Sequence, residues 1–125
     1  MANPGLIKTY TAGGTIAPRR LVKYGANDGE VLQAAAATDL IIGVSGSAET
    51  HASGERIDVI LSGSAEVDAA GVSARGSKVV SDANGKAVIA APAAGSNVHV
   101  AGFVMVTSAA NDIVDVFLSQ AVMQG

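Results

Sequence analysis

The chain is divided into short runs rich in Val, Ile and Leu by Gly, Asn, Asp and Ser at intervals of about ten residues. This spacing is typical of an antiparallel β-sandwich or β-barrel. The sequence predicts ten strands, near Leu6–Tyr10, Arg20–Tyr24, Val31–Ala34, Ile41–Ser45, Arg56–Leu61, Ala65–Asp68, Lys78–Ser81, Ala87–Ala90, Val98–Thr107 and Ile113–Leu118.

Several of these runs alternate between apolar and polar residues with the period of a strand. In the run 56–61, Ile57, Val59 and Leu61 share one face. In the last run, Val114, Val116 and Leu118 share a face. Phe103 and Phe117 lie in strong strand runs, and we expect both side chains in the core.

Turn and helix signals complete the fold prediction. Gly25–Gly29 and Asn84–Gly85 supply residues that tolerate a positive φ between strands. Single helical turns are possible at Ala34–Asp39 and Ala70–Gly76, where glycines limit the length of the second. The prediction is an all-β domain, a small sandwich or barrel with very little helix.

The first 19 residues differ from the rest. Asn3–Gly5 and the pair Gly13–Gly14 make this stretch a poor interior strand. We interpret residues 1–19 as an arm lying along a surface and residues 20–125 as a single β-domain. The apolar side chains that the arm has available to bury are Leu6, Ile7, Tyr10 and Ile16.

Composition excludes several classes of function. The 125 residues fit one domain, and the absence of cysteine excludes disulfides, thiolate catalysis and Cys-ligated zinc. A net charge of −3 and four aromatic residues offer no footprint for nucleic acid. The chain shows neither a secretory signal nor an apolar run of about 20 residues. We therefore expect no membrane contact, and a location in the cytosol or in a particle assembled there.

Candidate chemical residues are few. His51 and His99 lack the spacing of metal ligands, and we interpret both as surface or structural. The carboxylates of Glu66 and Asp68, and of Asp112 and Asp115, fit the wet face of strands better than an acid–base pair. Neither a nucleophile elbow nor a phosphate-binding loop is present in the sequence. The prediction is a protein that is not an enzyme, with no cofactor and no metal.

One basic cluster remains. It comprises Arg19, Arg20 and Lys23. Such a cluster suits phosphate or an acidic partner surface, but it also suits a solvated strand end.

The order of these pieces resembles the capsid decoration, or cement, proteins of tailed bacteriophages. The resemblance rests on the N-terminal arm, Ala12–Ile16, Arg20–Tyr24, Ile41–Ser45, the long stretch Gly54–Val67, Arg75–Val79 and a terminal hairpin. It spans nearly the whole chain and consists of glycine and valine patterns.

The resemblance implies a β-tulip-like domain with an extended arm, acting as a structural virion protein. Such a protein binds, as a homotrimer, the outside of an expanded icosahedral capsid and stabilises it. The virion is assembled in the host cytoplasm. Its partner is the major capsid (coat) protein, and its arm adds a strand to a coat-protein sheet. On this reading the candidate capsid-binding residues are Leu6, Ile7, Tyr10, Ile16, Arg19 and Arg20.

An alternative class is a small β-barrel binding or carrier module, either sugar-binding or lipoyl-like, with no capsid role. A carrier needs a lysine at an exposed hairpin tip, and Lys86 after Asn84–Gly85 is the candidate. The residues that usually flank an attachment lysine are missing around it.

Overall fold

The structure is a computed structural model that describes residues 3–46, 48–71 and 73–125. Its described part is all-β, with ten strands and no helix, so the predicted fold class is confirmed. The strands are β1 Ile7–Ala12, β2 Leu21–Tyr24, β3 Glu30–Gln33, β4 Gly43–Ser45, β5 Arg56–Ile60, β6 Ser64–Asp68, β7 Lys78–Ser81, β8 Ala87–Ile89, β9 Asn97–Val104 and β10 Ile113–Gln124.

The first five strands form a closed barrel in the order β1-β3-β2-β4-β5. Strand β1 runs antiparallel to β5, with Ile7 opposite Ile60, and it meets β3 in parallel at Thr11 and Ala12. The barrel interior is a cluster of buried apolar side chains. These are Tyr10, Ala12, Ile16, Val22, Val31, Ile57 and Val59.

The last five strands form an open sheet in the order β6-β10-β9-β7-β8. Its inner face shares one apolar core with the barrel, because Leu21, Ile41 and Val44 pack in the same cluster as Val67 and Val114. Barrel and sheet are therefore packed together through a common core.

Two glycines show why the turns fall where they do. Gly85 has a φ of 74°, as the predicted Asn-Gly turn between β7 and β8 requires. Gly63, with a φ of 82°, lies so close to the N-terminal segment that an added Cβ would meet the main chain of Asn3 and Gly5. A glycine at 63 is what lets the chain start pass beside the β5–β6 connection.

The predicted helical turns are not helices in the described residues. Residues 36–39 form a hydrogen-bonded turn, in which Asp39 N–H donates to the Ala36 carbonyl. The second predicted turn, Ala70–Gly76, includes Val72, which lies outside the described residues. The Asp39 carboxylate accepts from the N–H groups of Ala35 and Ala36 and holds the first segment as a tight turn.

Candidate interaction surfaces

The structure divides the six residues predicted to bind a partner into three groups. Leu6 and Ile7 are exposed, at 59% and 47%. Tyr10 and Ile16 lie in the barrel core, and Ile16 is fully buried. The structure therefore places residues 7–16 within the barrel, whereas the sequence predicted an arm lying along a surface. The division of the chain at residue 19 and the partner-binding role of these residues stay predictions.

Arg19 and Arg20 form the third group, and both contact one carboxylate. Arg19 Nε lies 2.9 Å from Asp68 Oδ1, and Arg20 Nε lies 3.4 Å from Asp68 Oδ2. Arg20 also donates from Nη1 to the Asn84 carbonyl at 2.8 Å. The predicted basic cluster thus joins the end of the N-terminal stretch to β6. Lys23 lies apart from them, paired with Asp39 at 3.2 Å.

The N-terminal lead-in, defined here as residues 3–6, is fixed along the connection between β5 and β6. Gly5 N–H donates to the Ser62 carbonyl, and Leu6 N–H donates to Ser62 Oγ. Asn3 N–H donates to Ser64 Oγ at 2.8 Å, and its carbonyl accepts from Ser64 N–H. These hydrogen bonds fix the position of the chain where β1 begins, and so its register with β5.

Among the described residues, no strand pairs with the first half of β1 on the side away from β5, so this half has a free edge. Hydrogen bonds from Thr11 N–H to Gly29 and from Gly13 N–H to Val31 join β1 to β3 only at its end. Because main-chain groups alternate in direction along an antiparallel strand, those of Ile7 and Thr9 point to this unpaired side. We call Leu6–Thr9 the N-terminal edge; its four side chains are exposed.

Two tyrosine rings border the N-terminal edge, close to its Lys8 side chain. The rings of Tyr10 and Tyr24 meet edge to face with centroids 6.5 Å apart, and Lys8 Nζ lies 5.3 Å from the Tyr10 ring centre. Burial, and then the neighbouring Tyr24, raise the pKa of Tyr10 above its ordinary value. The phenol therefore stays protonated at physiological pH, and the exposed Tyr24 ring extends the apolar border of the edge.

The outer face of the second sheet carries an exposed apolar patch. Phe103 and Phe117 face each other across β9 and β10, with ring centroids 5.4 Å apart and exposures of 38% and 41%. Met105, two residues after Phe103, is also exposed, and so is Ile113, which lies on the same face of β10 as Phe117 with Asp115 between them. We call these four residues the aromatic patch, and exposed apolar patches mark interaction sites.

The prediction that Phe103 and Phe117 lie in the core is therefore wrong. Val114, Val116 and Leu118 face the core, so alternation turns Phe117 outward, and its cross-strand partner Phe103 follows. The alternation already visible in the sequence was the signal that places them correctly.

The aromatic patch adjoins the N-terminal lead-in. Ser64, which holds Asn3, is also the cross-strand partner of Phe117. A continuous strip of surface thus runs from Phe103 and Phe117 past the lead-in to the N-terminal edge.

The residues weighed for chemistry are engaged in structural contacts. His51 Nδ1 lies 3.2 Å from the Glu49 carbonyl, and His99 Nδ1 lies 2.8 Å from the Thr38 carbonyl. Lys86 Nζ lies 3.4 Å from Asn111 Oδ1. In the described ranges, no three His, Cys, Asp or Glu side chains come close enough to hold a metal ion. Within the same ranges, no helix has the length and apolar character to span a bilayer.

An all-β fold that exposes a free strand edge and an apolar patch is typical of proteins that assemble with other proteins. The family comparison makes this specific: residues 2–118 match the family model described as phage cement protein. The chain belongs to that family, and its role is that of a capsid-associated structural protein of the virion.

A solved structure gives an independent likeness of fold. The chain is similar to the head fiber N base of bacteriophage phi29, with a TM-score of 0.71 and 18% sequence identity. The alignment covers 96% of this chain and 98% of that chain. No curated protein matches the sequence.

Proposed function

We propose that this protein binds the outer surface of the expanded icosahedral phage capsid and stabilises it, with the major capsid (coat) protein as its partner. The match to the phage cement family over residues 2–118 carries this proposal. The role is mechanical and involves no catalysis. The virion is assembled in the host cytoplasm, and many weak contacts acting together reinforce its expanded shell.

The N-terminal edge is the proposed contact with a coat-protein sheet. An arm that detached from the domain would conflict with the burial of Tyr10 and Ile16, because extracting these side chains would leave cavities in the barrel. Strand addition is possible without extraction, since Ile7 and Thr9 already present main-chain donors and acceptors on the unpaired side of β1. Leu6 and Ile7 add exposed apolar surface to the same contact.

The aromatic patch is proposed as the anchor of the same interface. It adjoins the lead-in through Ser64, and aromatic side chains dominate binding energy at protein interfaces.

A homotrimer is a further part of the proposal. Three copies would present three such strips together, and native mass spectrometry of protein released from shells tests it by the copy number.

The decisive experiment is co-sedimentation of purified protein with expanded, undecorated capsids. Wild type should bind and raise the temperature at which the shells release DNA. Phe117→Ala should weaken binding by about 30-fold, corresponding to the roughly 2 kcal/mol of an interface hot spot. The matched control is Ile89→Ala, which removes a similarly exposed apolar side chain from β8 on the opposite edge of the sheet.

Wild-type protein that fails to pellet with the capsids would overturn the proposed function. Equal binding by Phe117→Ala and wild type would remove the aromatic patch from the interface and leave capsid binding itself standing. Deleting residues 1–16 is not a suitable test, because the deletion also removes β1 from the barrel.

A further inference from the structure

The last part of β10 is paired on one side only. Strand β6 ends opposite Phe117, whereas β10 continues to Gln124 beside β9. The register shifts between Leu118 and Ala121, and Ala121–Gln124 then lie opposite Val100–Asn97. In the described ranges no strand pairs with the other side of Ser119–Gln124, which we call the β10 extension.

The direction of the main-chain groups follows from the bonds around the extension. Gly125 N–H donates to the Ser96 carbonyl, and His99 N–H donates away from β10, to the Ala37 carbonyl. Ala121 and Met123 therefore bond to β9. The N–H and C=O groups of Gln120, Val122 and Gln124 point to the open side.

This edge lacks the protection that the two outer strands of the sheet have. Along the open side of β6, Ser64 and Asp68 are already bonded to Asn3 and Arg19. Strand β8 has three residues, and its Ala87 carbonyl accepts from Ala70 N–H. The β10 extension contains neither a charged residue nor a proline, and Val122 is 61% exposed. A long, uncharged free edge is a template for pairing with another strand.

We infer that the β10 extension pairs with the β10 extension of a second copy of this chain, antiparallel about a twofold axis at Val122. Val122 then faces Val122 of the second copy, and Gln120 faces Gln124 in both directions. The three outward-pointing residues of each copy all find a main-chain partner, and the apolar Val122 side chains cover each other. Such a contact uses the same patch on both subunits, as the commonest protein dimers do.

The uncharged sequence of the β10 extension suits a second copy as the occupant. Each chain carries a net charge of −3, so copies repel one another in general. The extension places no like charges opposite each other, whereas a strand with charged residues would do so in self-pairing.

The same segment lies beyond the residues matched by the family model, which end at 118. The inference is thus independent of the proposed capsid interface, and a twofold contact would link separate trimers.

The test uses the absence of native cysteine. A Val122→Cys protein treated with a short bifunctional thiol cross-linker should give covalent dimers in high yield. Ala83→Cys, on the exposed turn between β7 and β8, is the matched control and should give few. Comparable yields from the two variants, or no dimer from Val122→Cys, would overturn the inference.

A second measurement separates pairing from chance collision. Val122→Lys puts two like charges on the axis and should halve the copy number seen by native mass spectrometry, while Val122→Thr should leave it unchanged. In wild type, the amides of Val122 and Gln124 should exchange hydrogen slowly, and Val122→Lys should speed that exchange. Fast amide exchange in wild type would count decisively against a twofold contact. So would an odd copy number that is the same in wild type and Val122→Lys. Capsid binding by Val122→Lys stays intact if the proposed function holds, so the two ideas fail separately.

Discussion

At the scale of single residues, Leu6 and Ile16 show how differently two apolar residues of one predicted arm are used. Ile16 is fully buried in the barrel, and its main chain exchanges hydrogen bonds with His51. Leu6 is mostly exposed on the N-terminal edge. The one stabilises the fold, and the other is available to a partner.

We expect Ile16→Ala to lower the free energy of unfolding by about 2–5 kcal/mol, because it leaves a cavity in the barrel. Leu6→Ala should change it by no more than about 0.5 kcal/mol. Urea unfolding followed by circular dichroism measures both. Equal effects of the two substitutions would contradict the placement of Ile16 in the core.

Asp39 makes stability depend on pH. Burial raises the pKa of its carboxyl, but the N–H groups of Ala35 and Ala36 and the ammonium of Lys23 outweigh burial and hold the pKa below the ordinary 3.8. The unfolded chain therefore takes up this proton at a higher pH than the folded chain does. The stabilisation is complete above the ordinary pKa and is lost as the pH falls through the folded value.

Asp39→Asn should be less stable than wild type at neutral pH and should lose less stability below about pH 4. Urea midpoints measured between about pH 2 and pH 7 test this, with Asp58→Asn, an exposed carboxylate on β5, as the control. If the urea midpoints of wild type and Asp39→Asn fall equally as the pH is lowered, Asp39 does not contribute to the pH dependence of stability.

At the scale of elements, the sequence predicts where the strands are better than where they end. All ten predicted strands overlap an observed strand, because Val and Ile alternate and Gly or Asn mark the turns. The extension of β10 beyond Leu118 was missed, since Ser119–Gln124 does not alternate clearly and is held by its register with β9. Pairing of this kind is set by the partner strand and is invisible in a single segment.

The N-terminal stretch depends on pairing with a distant segment in the same way. Gly13–Gly14 and Pro18 are poor strand formers, but β1 ends at Ala12, before them. Its place in the barrel depends on β5, more than 40 residues away in sequence. The interaction surfaces were harder still to predict, because an edge is defined by the strands that do not cover it.

The free edge of β1 leads to a prediction about main-chain bonding. Thr9→Pro removes an N–H that points away from β5, and proline is tolerated at such edge positions. Thr9→Ala is the matched control, since both variants lose the hydrogen bond from Thr9 Oγ1 to Asp58. The two should unfold at similar urea concentrations, while Thr9→Pro should bind expanded capsids several-fold more weakly than Thr9→Ala. Equal capsid binding would exclude strand addition at this edge.

At the scale of the whole molecule, barrel and sheet are joined by a shared core and by Asp68. The Asp68 carboxylate on β6 accepts from Arg19 and Arg20 at the entrance to β2. Arg19 is held with a φ of 55°, a conformation that non-glycine residues seldom adopt. We infer that this contact fixes the two halves against each other.

Asp68→Asn should lower the free energy of unfolding by about 1–3 kcal/mol, the usual cost of removing a partly buried charged partner. Calorimetry should still show one cooperative transition, because the core continues through both halves. Two resolved transitions, in wild type or in the variant, would mean that barrel and sheet unfold independently.

The pairing of Ile7 with Ile60 also determines when, during synthesis, the barrel can close. During synthesis, the first strand has no partner until roughly half of the polypeptide has left the ribosome. Closure of the barrel is thus a long-range event, of the kind that makes β-proteins slow to fold. Incompletely synthesised chains would lack the ordered N-terminal edge, so the proposed capsid contact through this edge would be open only to molecules that have completed folding.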